Sequence, residues 1–303
     1  MTVAALHRVP VLMYHEIAGA TATSSPLAVA PDVFAGQLAY LREAGFAALT
    51  AGELAAFLAD GTGELPERPI VLTFDDGYQD FYTHGLPVLK RNGFTATLFM
   101  TTGGIGDESL EKIMLNWREL SEVEQAGIEI GAHTVTHPKL DILPEKDLRE
   151  ELSVSKSQLE DHFGRAIPGL AYPFGYSNRK VREVARELGY TYAYSVDNAL
   201  TTSSAGTFTF PRLTVQRTTT MDGFAAIVNG KNTAALRRDR TISRLSPMVR
   251  RAKSTLGIER QPEWYFDAKA QIQEQRLTPI GRAPEATPLS QLPGRCARPS
   301  PPP

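Results

Sequence analysis

The sequence predicts an α/β fold built on a mainly parallel sheet, open or closed as a barrel. Three observations carry this: short apolar runs alternate with amphipathic helical stretches from about residue 8 to 218, several runs are apolar throughout, and glycines punctuate the helices. Strands buried on both faces read as continuous apolar runs, and helical crossovers join them in parallel. In either closure the functional groups belong at the C-terminal ends of the strands.

The elements follow in order. VPVLMYHEI reads as a buried strand. PDVFAGQLAYLREAGF places Phe34, Leu38 and Leu41 at helical spacing and stops at Gly45. PIVLTF is the next strand, QDFYTHGLPVLKRNGF a helix closed by Gly93, and ATLFMTT a strand. NWRELSEVEQAG is helical and IEIGAHT a strand. PEKDLREELSVSKSQLEDHFG is a long helix with Pro144 near its start, acids in its first turn and Gly164 at its end. GLAYPFG runs from a strand into a turn. NRKVREVARELGY is a helix with Asn178 as N-cap, and YTYAYSVD and FPRLTV complete the series.

Beyond about residue 230 the character changes. Residues 237–260 hold eight basic side chains against Asp239 and Glu259, and residues 281–303 are rich in Pro, Arg and Ser. Two units are expected: a domain over residues 1–230, and a basic extension over 231–303 with a Pro-rich disordered tail. ISRLSPMVRRAKSTLG within the extension is read as a solvated basic helix, with contact to a membrane or protein partner through residues 237–260 as the alternative.

A net charge of -2 gives no general pull toward nucleic acid or anionic lipid. The single cysteine, Cys296, excludes an internal disulfide and disfavours a thiolate metal site, so a metal must be held by His and carboxylates. The N-terminus shows neither signal peptide nor membrane span, so the expected location is cytoplasmic, or extracytoplasmic if the chain starts elsewhere.

Two segments carry chemistry. TFDDGY ends the strand PIVLTF with adjacent carboxylates, Asp75 and Asp76, which are costly to bury unless a cation sits beside them. Successive strand side chains alternate, so one Asp is free to bind a metal while the other faces a substrate, and Gly77 permits the turn. A solvated pair capping the next helix is the competing reading. HTVTH follows IEIGA with His133 and His137 four apart, as one helical turn or a tight loop would present two ligands to one cation. Two hydrogen-bonded loop histidines would give the same spacing. Both pairs on one rim make the stronger case.

With TFDDG, HTVTH extended to Pro138 and Leu140, and AYPFG (171–175) in that order, the sequence resembles polysaccharide deacetylases of the NodB-homology type, carbohydrate esterase family 4. The resemblance implies a distorted (β/α) barrel of about seven strands and hydrolysis of N-acetyl groups on an N-acetylglucosamine polysaccharide or glycoconjugate. It implies one divalent metal on Asp76, His133 and His137, zinc first, with cobalt, nickel, manganese or iron suiting the same ligands. It makes Asp75 the base and puts the Phe174 main-chain N–H at the oxyanion. PVLMYHEI further resembles the poly-β-1,6-N-acetylglucosamine deacetylase subgroup, which implies His15 as general acid; a rim histidine bonded to the chain is the alternative.

The family's third-motif Arg and C-terminal His are missing, since Ala171, Tyr172 and FPRLTV stand at those places. Arg212 is the candidate to pair with Asp75, and Asp197 to orient His15 or Arg212. Trp117 and Tyr176 are candidates to stack on sugar rings. The expected partner is an acetylated polysaccharide or oligosaccharide. The competing functions are a carbohydrate-binding protein of the same fold with impaired turnover and a C–N hydrolase acting on small amides.

Overall fold

The computed structural model describes residues 8–19, 23, 25–61, 64–107 and 112–231. The expected basic extension lies outside them, apart from Lys231.

Apolar runs become parallel strands. β1 (Arg8–Val9) and β2 (Val11–Tyr14) are separated at Pro10, which lacks a ladder donor. β3 (Ala47–Leu49) and β4 (Pro69–Phe74) follow, then β5 (Thr97–Met100), β6 (Glu129–Ala132), β7 (Gly169–Ala171) and β8 (Tyr192–Tyr194). β9 (Thr201–Thr202) pairs antiparallel with β1, and β10 (Leu213–Thr214) returns to β2. The main sheet runs β10-β2-β4-β5-β6-β7-β8, parallel throughout, with β3 added on β4.

The sheet curls until its edges meet on one segment. Phe210 forms a parallel bridge with Tyr194 of β8, while Leu213 pairs with Leu12 of β2. A single stretch, 210–214, therefore seams the barrel.

Strand alternation sorts side chains into two layers. Leu12, Tyr14, Leu72, Phe74, Leu98, Ile130 and Leu170 face outward to the helices and form the larger core. Val9, Val11, Val71, Phe99, Ala171, Tyr194 and Phe210 fill the interior. Continuing the inward parity, Val71–Thr73 leads to Asp75, Gly131 leads to His133, and Val11–Met13 leads to His15.

The helices take their expected places. α1 (Pro31–Glu43) buries Phe34, Leu38 and Leu41, and Gln37, also buried, accepts from Tyr14 Oη at 2.9 Å. α2 (Ala51–Asp60) is absent from the sequence-level series. Its signal was Thr50 with Glu53, which form a complete capping box. α2 adds Ala51, Leu54 and Ala55 to the interior cluster and so stoppers the barrel.

The helix expected over QDFYTHGLPVLKRNGF is a π-turn, Phe81–Gly85, running into α3 (Leu86–Asn92). Pro87 accounts for the difference: its ring and missing N–H do not fit a regular helix over Thr83. α4 (Trp117–Gln125) is capped by Asn116, α5 spans Glu145–Phe163, α6 (Arg179–Glu187) is capped by Asn178 as expected, and α7 spans Met221–Val228. Among the described residues no helix is long and apolar enough to cross a membrane.

Candidate metal centre

Three loops at the C-terminal strand ends build the site. β4 delivers Asp75 and Asp76, β6 delivers His133 and His137, and β7 runs into the turn Pro173–Gly175 that holds Phe174. These loops carry four of the five non-glycine residues with positive φ among those described: Asp76 (74°), Thr134 (69°), His137 (56°) and Phe174 (58°). Such conformations each cost on the order of 1–3 kcal/mol and persist only where the surroundings enforce them. Here main-chain bonds link the loops: Thr101 N–H to Asp76 O (3.1 Å), Thr102 N–H to Thr134 O (3.1 Å) and Gly103 N–H to Val135 O (2.9 Å).

The donors converge. Asp76 Oδ1 lies 3.5 Å from His133 Nε2 and 3.4 Å from His137 Nε2. One ligand atom from each of Asp76, His133 and His137 lies within 4.8 Å of the others, a group able to hold a metal ion. His133 Nδ1 is 2.8 Å from the Ala171 carbonyl. Only a protonated Nδ1 can bond to that oxygen, which leaves Nε2 as the ring nitrogen turned toward Asp76. Burial lowers the His137 pKa to about 4 against the pull of Asp76, so its imidazole is neutral and ready to ligate near pH 7. Two imidazoles and one carboxylate suit zinc and similar divalent ions while leaving coordination positions free.

Asp75 is 2% exposed and Arg212 0% exposed. Arg212 clamps the carboxylate with both terminal nitrogens, Nη1 to Oδ1 at 2.6 Å and Nη2 to Oδ2 at 2.7 Å. Its other donors reach Thr73 Oγ1 (3.1 Å) and Ser195 O (3.3 Å). Burial by itself would raise the Asp75 pKa; the Arg212 charge, with help from His133, brings it down to about 2. Asp75 Oδ2 is 3.8 Å from His133 Nε2, so an ionised carboxylate stands beside the donor group. Asp76 is likewise kept below the usual carboxylate range: burial raises it, but His137, His15 and His133 outweigh that.

His15 is near enough for its charge to bear on Asp75, Asp76 and His137. Its Nδ1 is buried with no hydrogen-bond partner among the described residues. Asp197 accepts from Ser195 Oγ (2.9 Å), and the Ser195 carbonyl accepts from Arg212, so Asp197 stands one residue behind the clamp. The Phe174 ring is 49% exposed, edge-on to His137 at 4.7 Å and stacked on Tyr176 at 5.8 Å. Trp117 lies against His162 of the last turn of α5, with ring centroids 4.5 Å apart.

Two supporting residues escaped the sequence reading. Burial and the neighbouring Asp76 carboxylate raise the Tyr78 pKa, and Glu151 bonds the loop between the histidines. Tyr78 follows the DDG turn and was findable; Glu151 lies on a helix with nothing local to mark it.

Comparison with known proteins gives one consistent picture. Residues 62–193 match the family model described as polysaccharide deacetylase. YxkH of Bacillus subtilis (strain 168), whose name assigns it provisionally to polysaccharide deacetylation, is 28% identical over 221 residues, 73% of this chain and 76% of that protein. The poly-beta-1,6-N-acetyl-D-glucosamine N-deacetylase of Staphylococcus aureus (strain MSSA476) is 26% identical over 197 residues, 62% of this chain and 67% of its own. The structure of Streptococcus pyogenes deacetylase PplD in complex with acetate superposes with a TM-score of 0.68 at 27% identity, covering 74% of this chain and 99% of that one.

Proposed function

We propose that the chain, whose residues 62–193 match the polysaccharide deacetylase family model, hydrolyses N-acetyl groups on N-acetylglucosamine units of a polysaccharide or glycoconjugate, releasing acetate. Asp76, His133 and His137 would hold one divalent cation, with zinc the first choice. When bound, such a cation polarises a carbonyl and makes water more acidic. Asp75 accepts the proton of the attacking water, and Arg212 keeps it ionised and fixes its plane. The Phe174 main-chain N–H donates to the developing oxyanion; one such donor is worth about 3–4 kcal/mol in transition-state stabilisation. His15 gives the proton that lets the amine leave. Phe174 and Tyr176 present a stacked aromatic face on which a pyranose ring can lie.

One observation supports this reading above the rest: the Asp75 carboxylate, gripped at 2.6 and 2.7 Å by Arg212, sits 3.8 Å from a histidine of the Asp76–His133–His137 group. A carbohydrate-binding protein has no need of an ionised base beside a cation site.

Acetate release should be measured over chitin oligomers, β-1,6-linked oligomers and acetylated xylan, with and without chelator. N-acetylglucosamine oligomers should react, chelator should stop the reaction, and added Zn2+ or Co2+ should restore it. His15→Ala should lower kcat by about 10²–10⁴-fold. Full rate in that variant would remove His15 as the acid. Inertness of every substrate toward the metal-loaded protein would favour the binding-protein reading.

A further inference from the structure

We infer that Glu151 is the positioning residue of the cation site, its carboxylate setting the distance between His133 and His137 by holding the loop that joins them. The inference rests on the cation site proposed above.

The loop HTVTH is unfavourable by itself. Thr134, which is β-branched, and His137 both have positive φ, a conformation that L-residues avoid. With the chain so bent, the N–H groups of Val135 and Thr136 point at one place. They converge on one oxygen, Glu151 Oε2, at 3.0 and 2.9 Å, while Thr136 Oγ1 donates to Oε1 at 2.5 Å. Successive N–H groups arranged this way form a concave anion site, and the protein supplies its own anion. The loop also has an internal tie, His137 N–H to Thr134 Oγ1 at 3.0 Å, and its carbonyls accept from Thr102 and Gly103. Among these ties Glu151 is the one that brings a charge, and charge-assisted bonds are roughly twice as strong as neutral ones.

Glu151 is itself held firmly. It projects from the middle of α5, which is anchored by buried Leu148, Leu152 and Leu159, and it is 3% exposed. A displacement of its carboxylate would move Val135 and Thr136, and with them the direction in which each imidazole approaches Asp76. Groups behind the ligands that fix their orientation change metal affinity by about 10–100-fold when altered.

The test is a Co2+ titration of folded, metal-free full-length protein at 25 °C, read from Co2+ visible absorption and so independent of turnover. Glu151→Gln should weaken Co2+ binding by about tenfold or more relative to wild type. Thr136→Val removes one of the three bonds and should weaken it by several-fold, which keeps the test open if Glu151→Gln does not fold. A purely architectural role would lower the melting temperature of either variant and leave the Co2+ Kd of the folded protein at the wild-type value; that result would overturn the inference. Wild-type protein that takes up no Co2+ would overturn the cation site itself, a separate and recognisable failure.

Discussion

The two ends of the barrel each hold a carboxylate cluster, and the clusters are built by opposite rules. At the N-terminal end, Glu129 opens β6 beside Thr97, which opens β5, and Tyr192, which opens β8. Its oxygens accept from Thr97 Oγ1 (2.7 Å), Tyr192 Oη (2.8 Å) and Gly52 N–H (3.0 Å). Every partner is a neutral donor, and none of these residues has a positive φ. At the C-terminal end, Asp75 and Asp76 face Arg212, His133 and His137 on loops crowded with left-handed residues. The first arrangement fastens α2 to the strands. The second tolerates strain and buried charge, a trade that stability alone does not reward and that suits a site needing ionised groups at fixed positions.

The contrast breaks most easily at Asp75. Asp75→Asn should reduce acetate release by about 10²–10⁴-fold while the protein remains folded by circular dichroism. If the rate survived, the rim would be a second structural cluster and the distinction would vanish. Next in size is Gly175→Ala. Gly175 has φ of 71°, and a Cβ there would come within 2.4 Å of the Val196 backbone nitrogen. The strained conformation alone costs about 1–3 kcal/mol, so thermal melting should fall by several degrees and kcat with it, because Phe174 is the preceding residue.

Glu129→Gln sharpens the contrast from the other end. It should cost about 1–3 kcal/mol in urea unfolding by unbalancing three donors, with kcat/KM of the folded protein within twofold of wild type. Gly52→Ala should be smaller still. A Cβ there would sit 2.3 Å from Glu129 Oε1 and push that carboxylate off its donors, and the gain in helix propensity of about 1 kcal/mol offsets only part of the loss. A net destabilisation of about 1 kcal/mol is expected from the same unfolding measurement.

The smallest effect concerns Asp80. Burial raises its pKa to about 6, aided by Glu16 and opposed by Lys112, and its Oδ1 is buried without a hydrogen-bond partner. The folded state therefore holds this proton more tightly than the unfolded chain. Its contribution to stability is fully present below about pH 4 and is lost as pH rises to about 6. Asp80→Asn should flatten that part of a stability–pH curve; an unchanged slope would assign it to other groups.

The sequence carried the strands, most helices and the four residues Asp75, Asp76, His133 and His137, for a physical reason. Hydrophobic alternation and adjacent ligand pairs are local properties, and inward parity along Val71, Thr73 and Asp75 follows from them. Arg212 was within reach as the charged residue of the last strand, although its bidentate grip was not. What escaped depends on distance along the chain: Glu151 meets Val135 and Thr136 from a separate helix, and the floor network joins α2 to β5, β6 and β8. α2 was missed despite its capping box, because it is short and closely follows a three-residue strand. The resemblance to the family is the source of two expectations that no spacing reveals, His15 as acid and the Phe174 N–H at the oxyanion.

The seam has one more implication. Residues 210–214 fasten β8 to β2, and the same five residues include Arg212, the counter-ion of Asp75. Closing the sheet and giving the buried Asp75 carboxylate its counter-charge are thus tasks of one five-residue stretch, so a change that loosens it would unsettle both together.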